Sequence, residues 1–250
     1  MPAHNDYRRL WEHANYRMPM ASAIACRPPD DPSLIRVYHL TSADHAISNI
    51  ALSRMKVSRF SDLNDPFELL ALNVREASTR KVVRSFKDTY DTHTGLLCFS
   101  ADWKQPVLWS HYAAKHHGVC LGFDVPRGDL QKVSYKADRV LAQLGDDPDP
   151  RRIDQKLQDL LLCTKSKGWE YEEESRRFVP LSDALQEGRL HFMPLGPSLQ
   201  LTEVVLGALC QLDVRSVREL VTSKYPNAVT YRSRLAIKSF NVVPEESTVP

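Results

Sequence analysis

Short segments rich in β-branched and aromatic residues, set beside one another rather than separated by long helices, most limit what this chain can fold into. Residues 35–41 (IRVYHLT), 56–60 (KVSRF), 95–100 (GLLCFS), 119–125 (VCLGFDV), 130–136 (LQKVSYK) and 228–237 (AVTYRSRLAI) read as strands, because such side chains fit a pleated, half-buried surface. Residues 169–181 (WEYEEESRRFVPL) alternate and read as another strand, and 203–209 (EVVLGAL) as a buried one. Helices are fewer. Ser42 is placed to cap a helix over 43–55, whose Ala46, Ile47, Ile50 and Ala51 share one face. A basic helix is expected over 76–90, and a short one over 106–118 that Gly118 ends. A third covers 151–166, with Ile153, Leu157, Leu160 and Leu161 on its apolar stripe, and Asp213 caps a fourth over 214–225. Neighbouring strands of this kind exclude a regular βαβ array and predict an α+β fold.

The ends read differently. Residues 1–33 look like an appendage, with a short helix over 8–18 that offers Leu10, Trp11 and Tyr16 for packing. The prolines of 27–34 (RPPDDPSL) then stiffen and break the chain. A single domain is expected over 34–241, with a turn at 146–150 (DDPDP) and a tail over 242–250.

With 42% hydrophobic and 26% charged residues the chain has ordinary globular usage, so disorder throughout is excluded. Lys plus Arg number 33 against 31 Asp plus Glu, a net charge of +2. That balance argues against a dedicated duplex-DNA binder while leaving room for a local basic groove. No apolar run approaches the ~18–20 residues that span a bilayer, and the N-terminus lacks the apolar core of a signal peptide. A cytoplasmic setting is expected, in keeping with five cysteines (Cys26, Cys98, Cys120, Cys163, Cys210), odd in number and widely spaced.

Three segments hold polar and aromatic residues that a scaffold does not require. In Tyr38-His39-Leu40-Thr41, strand alternation sets His39 and Thr41 on one face, where an imidazole and a hydroxyl can hold a ribose or an amide. An edge strand explains the same residues. Trp109, His111 and Tyr112 offer rings for stacking on a flat heterocycle, or simply fill a core. His111, His116, His117 and Cys120 fit no familiar zinc spacing, and a Cys98 thiol inside an apolar strand should be inert. In the third segment Glu170, Glu172, Glu174 and Arg176 share a strand face, where like charges repel unless a cation such as Arg176 intervenes. A carboxylate held against a sugar is what an oxocarbenium-like reaction needs; an exposed acidic edge is the alternative. The turn Asn64-Asp65-Pro66-Phe67-Glu68 should point Asn64 and Asp65 outward and pin itself by Phe67.

YHLT (38–41), FSDLNDPFE (60–68), CFS (98–100), LWSHYA with HGVCLGFD (108–124) and WEYEEESR (169–176) together resemble a bacterial family known only as a domain of unknown function, DUF2971. The pattern is in turn similar to the His–Tyr–Glu layout of the ADP-ribosyltransferase fold. That resemblance implies a split β-sandwich over 34–241 that takes NAD as substrate and passes ADP-ribose to a protein or nucleic acid. It gives His39 the ribose, Tyr112 the nicotinamide, and Glu172 or Glu174 the catalytic acid's place, with Glu174 preferred as the last acid of the run and Glu172 then orienting or deprotonating the acceptor. Tyr38, Thr41, Asn64, Asp65, Phe67, Trp109 and His111 would complete the NAD site. It further implies a toxin or antiphage effector. Hydrolysis of NAD with water as acceptor, and a non-catalytic module that binds a nucleotide or nucleic acid through Arg75, Arg80, Lys81, Arg84, Lys87, Arg232, Arg234 and Lys238, are the rival readings. A Glu174→Gln change is expected to stop turnover and leave the fold intact.

Overall fold

The computed structural model describes residues 27–73, 75–140 and 154–249. The expected helix over 8–18, Cys26, the turn at 146–150 and Ile153 lie outside the described residues. Thirteen strands occur: β1 (Leu34–Thr41), β2 (Arg54–Val57), β3 (Thr94–Ser100), β4 (Val119–Pro126), β5 (Gln131–Lys132), β6 (Ser134–Lys136), β7 (Thr164–Ser166), β8 (Glu174–Pro180), β9 (Leu185–Glu187), β10 (Leu190–Pro194), β11 (Gln200–Leu206), β12 (Val229–Leu235) and β13 (Val242–Pro244) among the described residues. The helices are α1 (Ala43–Ala51), α2 (Ala77–His93), α3 (Pro106–Tyr112), α4 (Gln155–Leu162) and α5 (Val214–Lys224). The class is α+β. None of these helices is long and apolar enough to cross a membrane.

The chain divides into two compact units. The first takes the described residues up to Arg54, then Ser100–Arg127 and the residues from Leu195 on. Its strands follow the order β13-β12-β11-β4-β1. Strands β1 and β4 pair antiparallel along their whole length, from Leu34 opposite Pro126 to Thr41 opposite Val119. Strand β11 runs antiparallel to β4 with a register shift between Leu201 and Glu203, and parallel to β12. Gly122 is required there: a Cβ at that position would stand 2.8 Å from the Cβ of Glu203. Val37, Ile50, Trp103, Trp109, Leu121, Phe123, Val205 and Tyr231 are buried in this unit. Ser42 and Asp213 cap α1 and α5, accepting backbone N–H groups from His45 (3.3 Å) and Ser216 (2.9 Å).

The second unit takes Met55–Phe99 and Gly128–Pro194. It holds the strand orders β3-β8-β5 and β2-β10-β9, and a parallel pair β6-β7. Helix α2 buries Thr79, Val82, Val83 and Phe86, one face at helical spacing, against Phe60, Leu69, Leu96, Leu161 and Leu162.

Several expected elements change shape. The helix after Ser42 stops at Ala51, because Ser53 takes a left-handed backbone (φ 51°) and the chain leaves as β2. The strand expected over 130–136 splits into β5 and β6 around buried Val133. Within the expected tail, Val242–Pro244 pairs with β12. The β9–β10 hairpin, turning at Gly188 (φ 59°), carries too few apolar residues to show in the periodicity.

Candidate functional site

The acidic run over 169–181 is not one strand. Lys167–Glu172 form a 3-10 turn, Glu173 takes a left-handed backbone (φ 43°), and β8 begins at Glu174. A left-handed non-glycine residue costs about 1–2 kcal/mol, and what it secures here is the placing of two carboxylates on one ammonium. Lys165 Nζ, on β7, lies 2.7 Å from Glu172 Oε2 and 2.9 Å from Glu174 Oε2. Two residues along β8, Arg176 donates from Nε to Glu174 Oε1 (2.8 Å), from Nη2 to Glu68 Oε1 (2.6 Å) and from Nη1 to the Leu162 carbonyl (2.6 Å). Glu68 comes from the NDPFE run, and its Oε1 is also 3.5 Å from Lys165. All five side chains are buried, Arg176 completely. Three acids face two bases, so the network formally keeps one excess negative charge.

Burial pulls the Glu174 carboxyl upward, but Arg176 and Lys165 more than reverse that and hold it at about 2. Burial acts to lower the Lys165 ammonium pKa, and Glu174, Glu172 and Glu68 hold it above the ordinary lysine value instead. The Tyr135 phenol, whose oxygen accepts the Glu174 backbone N–H at 2.8 Å, is pushed up to about 12 chiefly by burial. The Cys98 thiol is driven well above its usual range by burial and then by the Glu174 charge, which leaves it inert. A depressed acid contributes stability above its unfolded pKa and loses it as pH falls through the folded one. Acid titration should therefore remove about 3 kcal/mol between pH 4.5 and about 2 on account of Glu174, read as a falling thermal midpoint over that window.

Beside the network lies a pocket of about 210 Å³ within the second unit, lined by Phe67, Lys136, Asp138, Arg139, Thr164, Lys165 and Ser166 among others. The Arg139 guanidinium sits 5.1 Å from the centre of the Phe67 ring. Lys165 Nζ is 5.2 Å from the centre of the Trp169 ring, and Lys165 is also among the residues that line the pocket. The NDPFE turn departs from expectation at Asp65 and Phe67 and keeps to it at Asn64. Asp65 is buried and its Oδ1 accepts the Phe67 N–H at 2.9 Å, whereas Phe67 is 52% exposed. Asn64 is exposed.

The remaining candidates belong to the first unit. On β1, Tyr38 and Thr41 are buried and His39 is half-buried. Trp109 is fully buried; its indole donates to the Trp103 carbonyl (2.6 Å) and stacks with His116 at 6.0 Å. His111 is exposed, Tyr112 half-buried, and their rings meet edge-on at 6.1 Å. Among the described residues no cluster of three His, Cys, Asp or Glu is placed to hold a metal ion.

The structure thus joins Glu172 to Glu174 through Lys165, and gives Phe67 a place in the adjoining pocket. Sequence reasoning missed Lys165, Lys136, Arg139, Thr164 and Ser166, and passed over Glu68 within a motif it had quoted. The one available signal was the excess of acid over 170–174, which requires cations brought from elsewhere. Residues 108–177 match a family model described as a protein of unknown function (DUF2971), a stretch that includes Trp109, Tyr112, Lys165, Glu172, Glu174 and Arg176. Neither the curated proteins nor the solved structures yield a match.

Proposed function

We propose that the second unit binds a nucleotide, that the nucleotide is NAD, and that the protein passes its ADP-ribose to a macromolecular acceptor. The observation that carries the binding step is the pocket in which Arg139 covers the Phe67 ring while Lys136 and Lys165 line the same hollow. Guanidinium and ammonium groups suit phosphate oxygens, and an aromatic face suits a base. Thr164 and Ser166 add hydroxyls for ribose or phosphate.

The transfer step is supported by the resemblance to ADP-ribosyltransferases, including their split β-sandwich, and by the Glu174 carboxyl, which stays ionised beside the pocket. The bond between nicotinamide and ribose breaks with its electron pair leaving on nicotinamide. An acceptor nucleophile then bonds to the anomeric carbon and releases its proton. Glu172 and Glu174 contribute negative charge toward the cationic sugar. A role as toxin or antiphage effector belongs to the same proposal, and expression in a bacterial host reads it out as loss of cellular NAD.

One observation favours a second reading, recognition without turnover. Both Glu174 oxygens already contact cations, so this acid holds Lys165 and Arg176 in place. Labelled NAD incubated with cell extract separates the possibilities. Label on a macromolecule supports transfer, free ADP-ribose makes the protein a hydrolase, and bound but intact NAD leaves the recognition module. Absence of NAD and ADP binding by calorimetry overturns the proposal. Phe67→Ala and Arg139→Ala should each weaken ADP about tenfold, the equivalent of about 1.4 kcal/mol. Both side chains are exposed, so the thermal midpoint should stay put.

A further inference from the structure

Strand β1 turns Arg36 and Tyr38 to the same side, where they line a second pocket, within the first unit, of about 300 Å³. Ile35, Pro28 and Pro29 supply the apolar part of its wall, and Lys104 and Arg127 the remaining cations. The Arg36 guanidinium is fixed in place. It pairs through two nitrogens with Asp124, its register partner on β4 (Nη2 to Oδ2 3.1 Å), and its Nη1 stands 3.6 Å from Glu203. Glu203 is fully buried and also accepts the Tyr231 hydroxyl, so these two acids already neutralise Arg36. Arg36 therefore acts as a rigid polar wall rather than as the group that captures a ligand.

Lys104 and Arg127 differ from it. Neither forms a salt bridge with any described residue, and Arg127 uses only Nε, on the Pro32 carbonyl (2.9 Å). The one acid in the lining, Asp102, directs Oδ1 to the Lys104 backbone N–H at 3.0 Å. The pocket thus offers two available cations beside a wall of proline, isoleucine and a tyrosine ring. It falls at the small end of ligand-pocket volumes, which run from ~300 Å³ upward. We infer that this pocket is a second binding site, for a small organic anion whose oxyanion meets Lys104 and Arg127 and whose flat body rests on the Tyr38 ring, close to Ile35. The site shares no residue with the pocket of the second unit.

The test uses the full chain labelled at isoleucine methyl groups and titrated with benzoate, phenyl phosphate and inorganic phosphate. The Ile35 methyl resonance should move saturably with at least one organic anion. Benzoate alone identifies a carboxylate ligand, phenyl phosphate alone a phosphate ester, and both an oxyanion of either kind. Lys104→Met and Arg127→Met should each weaken that binding at least tenfold with an unchanged thermal midpoint, whereas Lys136→Met, in the other pocket, should leave it unaltered. A stationary Ile35 signal with both organic anions, or binding that Lys104→Met does not weaken, overturns the inference. So does binding lost equally in Lys136→Met.

Discussion

Arg176→Ala should lose about 3–5 kcal/mol of stability, enough to leave much of the protein unfolded at physiological temperature. The reason is specific to what remains. With the guanidinium gone, Glu68 and Glu174 stay buried with only Lys165 to face three carboxylates, and the Leu162 carbonyl loses its donor. Denaturant unfolding should show the midpoint moving with little change of slope. Arg176→Lys should recover only a minor part, since an ammonium cannot serve Glu174, Glu68 and a carbonyl with the reach of the fork. A melting temperature within a degree or so of wild type for Arg176→Ala would mean that the network is far wetter than the structure shows. The same geometry revises the expectation for Glu174→Gln. Both oxygens of Glu174 contact buried cations, so an amide there costs stability as well as charge. Activity measurements on that variant need a melting curve beside them.

Trp109→Ala should cost about 3–5 kcal/mol, the range for truncating a buried large aromatic side chain. Its ring is fully buried between Trp103 and His116, and its indole N–H holds the Trp103 carbonyl. Trp109→Phe keeps most of the volume but leaves that carbonyl without its donor, and should fall between the two. If Trp109→Ala instead left the melting temperature alone and weakened NAD, the ring would be serving the ligand and not the core. Comparing thermal denaturation with NAD titration in the two variants distinguishes these outcomes.

Helix starts were legible where one side chain does the work: Ser42 and Asp213 carry the oxygen that meets the N–H groups three residues on. Strands β1 and β4 were legible because their branched and aromatic residues are local facts. Lys165 was not, since the helix read from the sequence extends to 166, whereas it stops at Leu162 and the chain continues as β7. Nor did alternation over 169–181 betray the break at Glu173. A regular strand satisfies the pattern equally well, and only an ammonium arriving from β7 selects the kinked form. The NDPFE turn read correctly as a turn. Its orientation was missed because Asp65 finds its acceptor role inward, on the Phe67 N–H, and thereby turns the ring out to the pocket.

The order in which the two units are threaded along the chain has a consequence for synthesis. Every segment of the second unit has been synthesised once Pro194 is added, whereas the first still lacks β11, β12 and β13. Until then Glu203 and Tyr231 are missing from beside Arg36 and Asp124, and the edge of β4 that later takes β11 has no strand to pair with. Exposed strand edges invite mispairing, so the nascent first unit should need protection from mispairing for longer than the second.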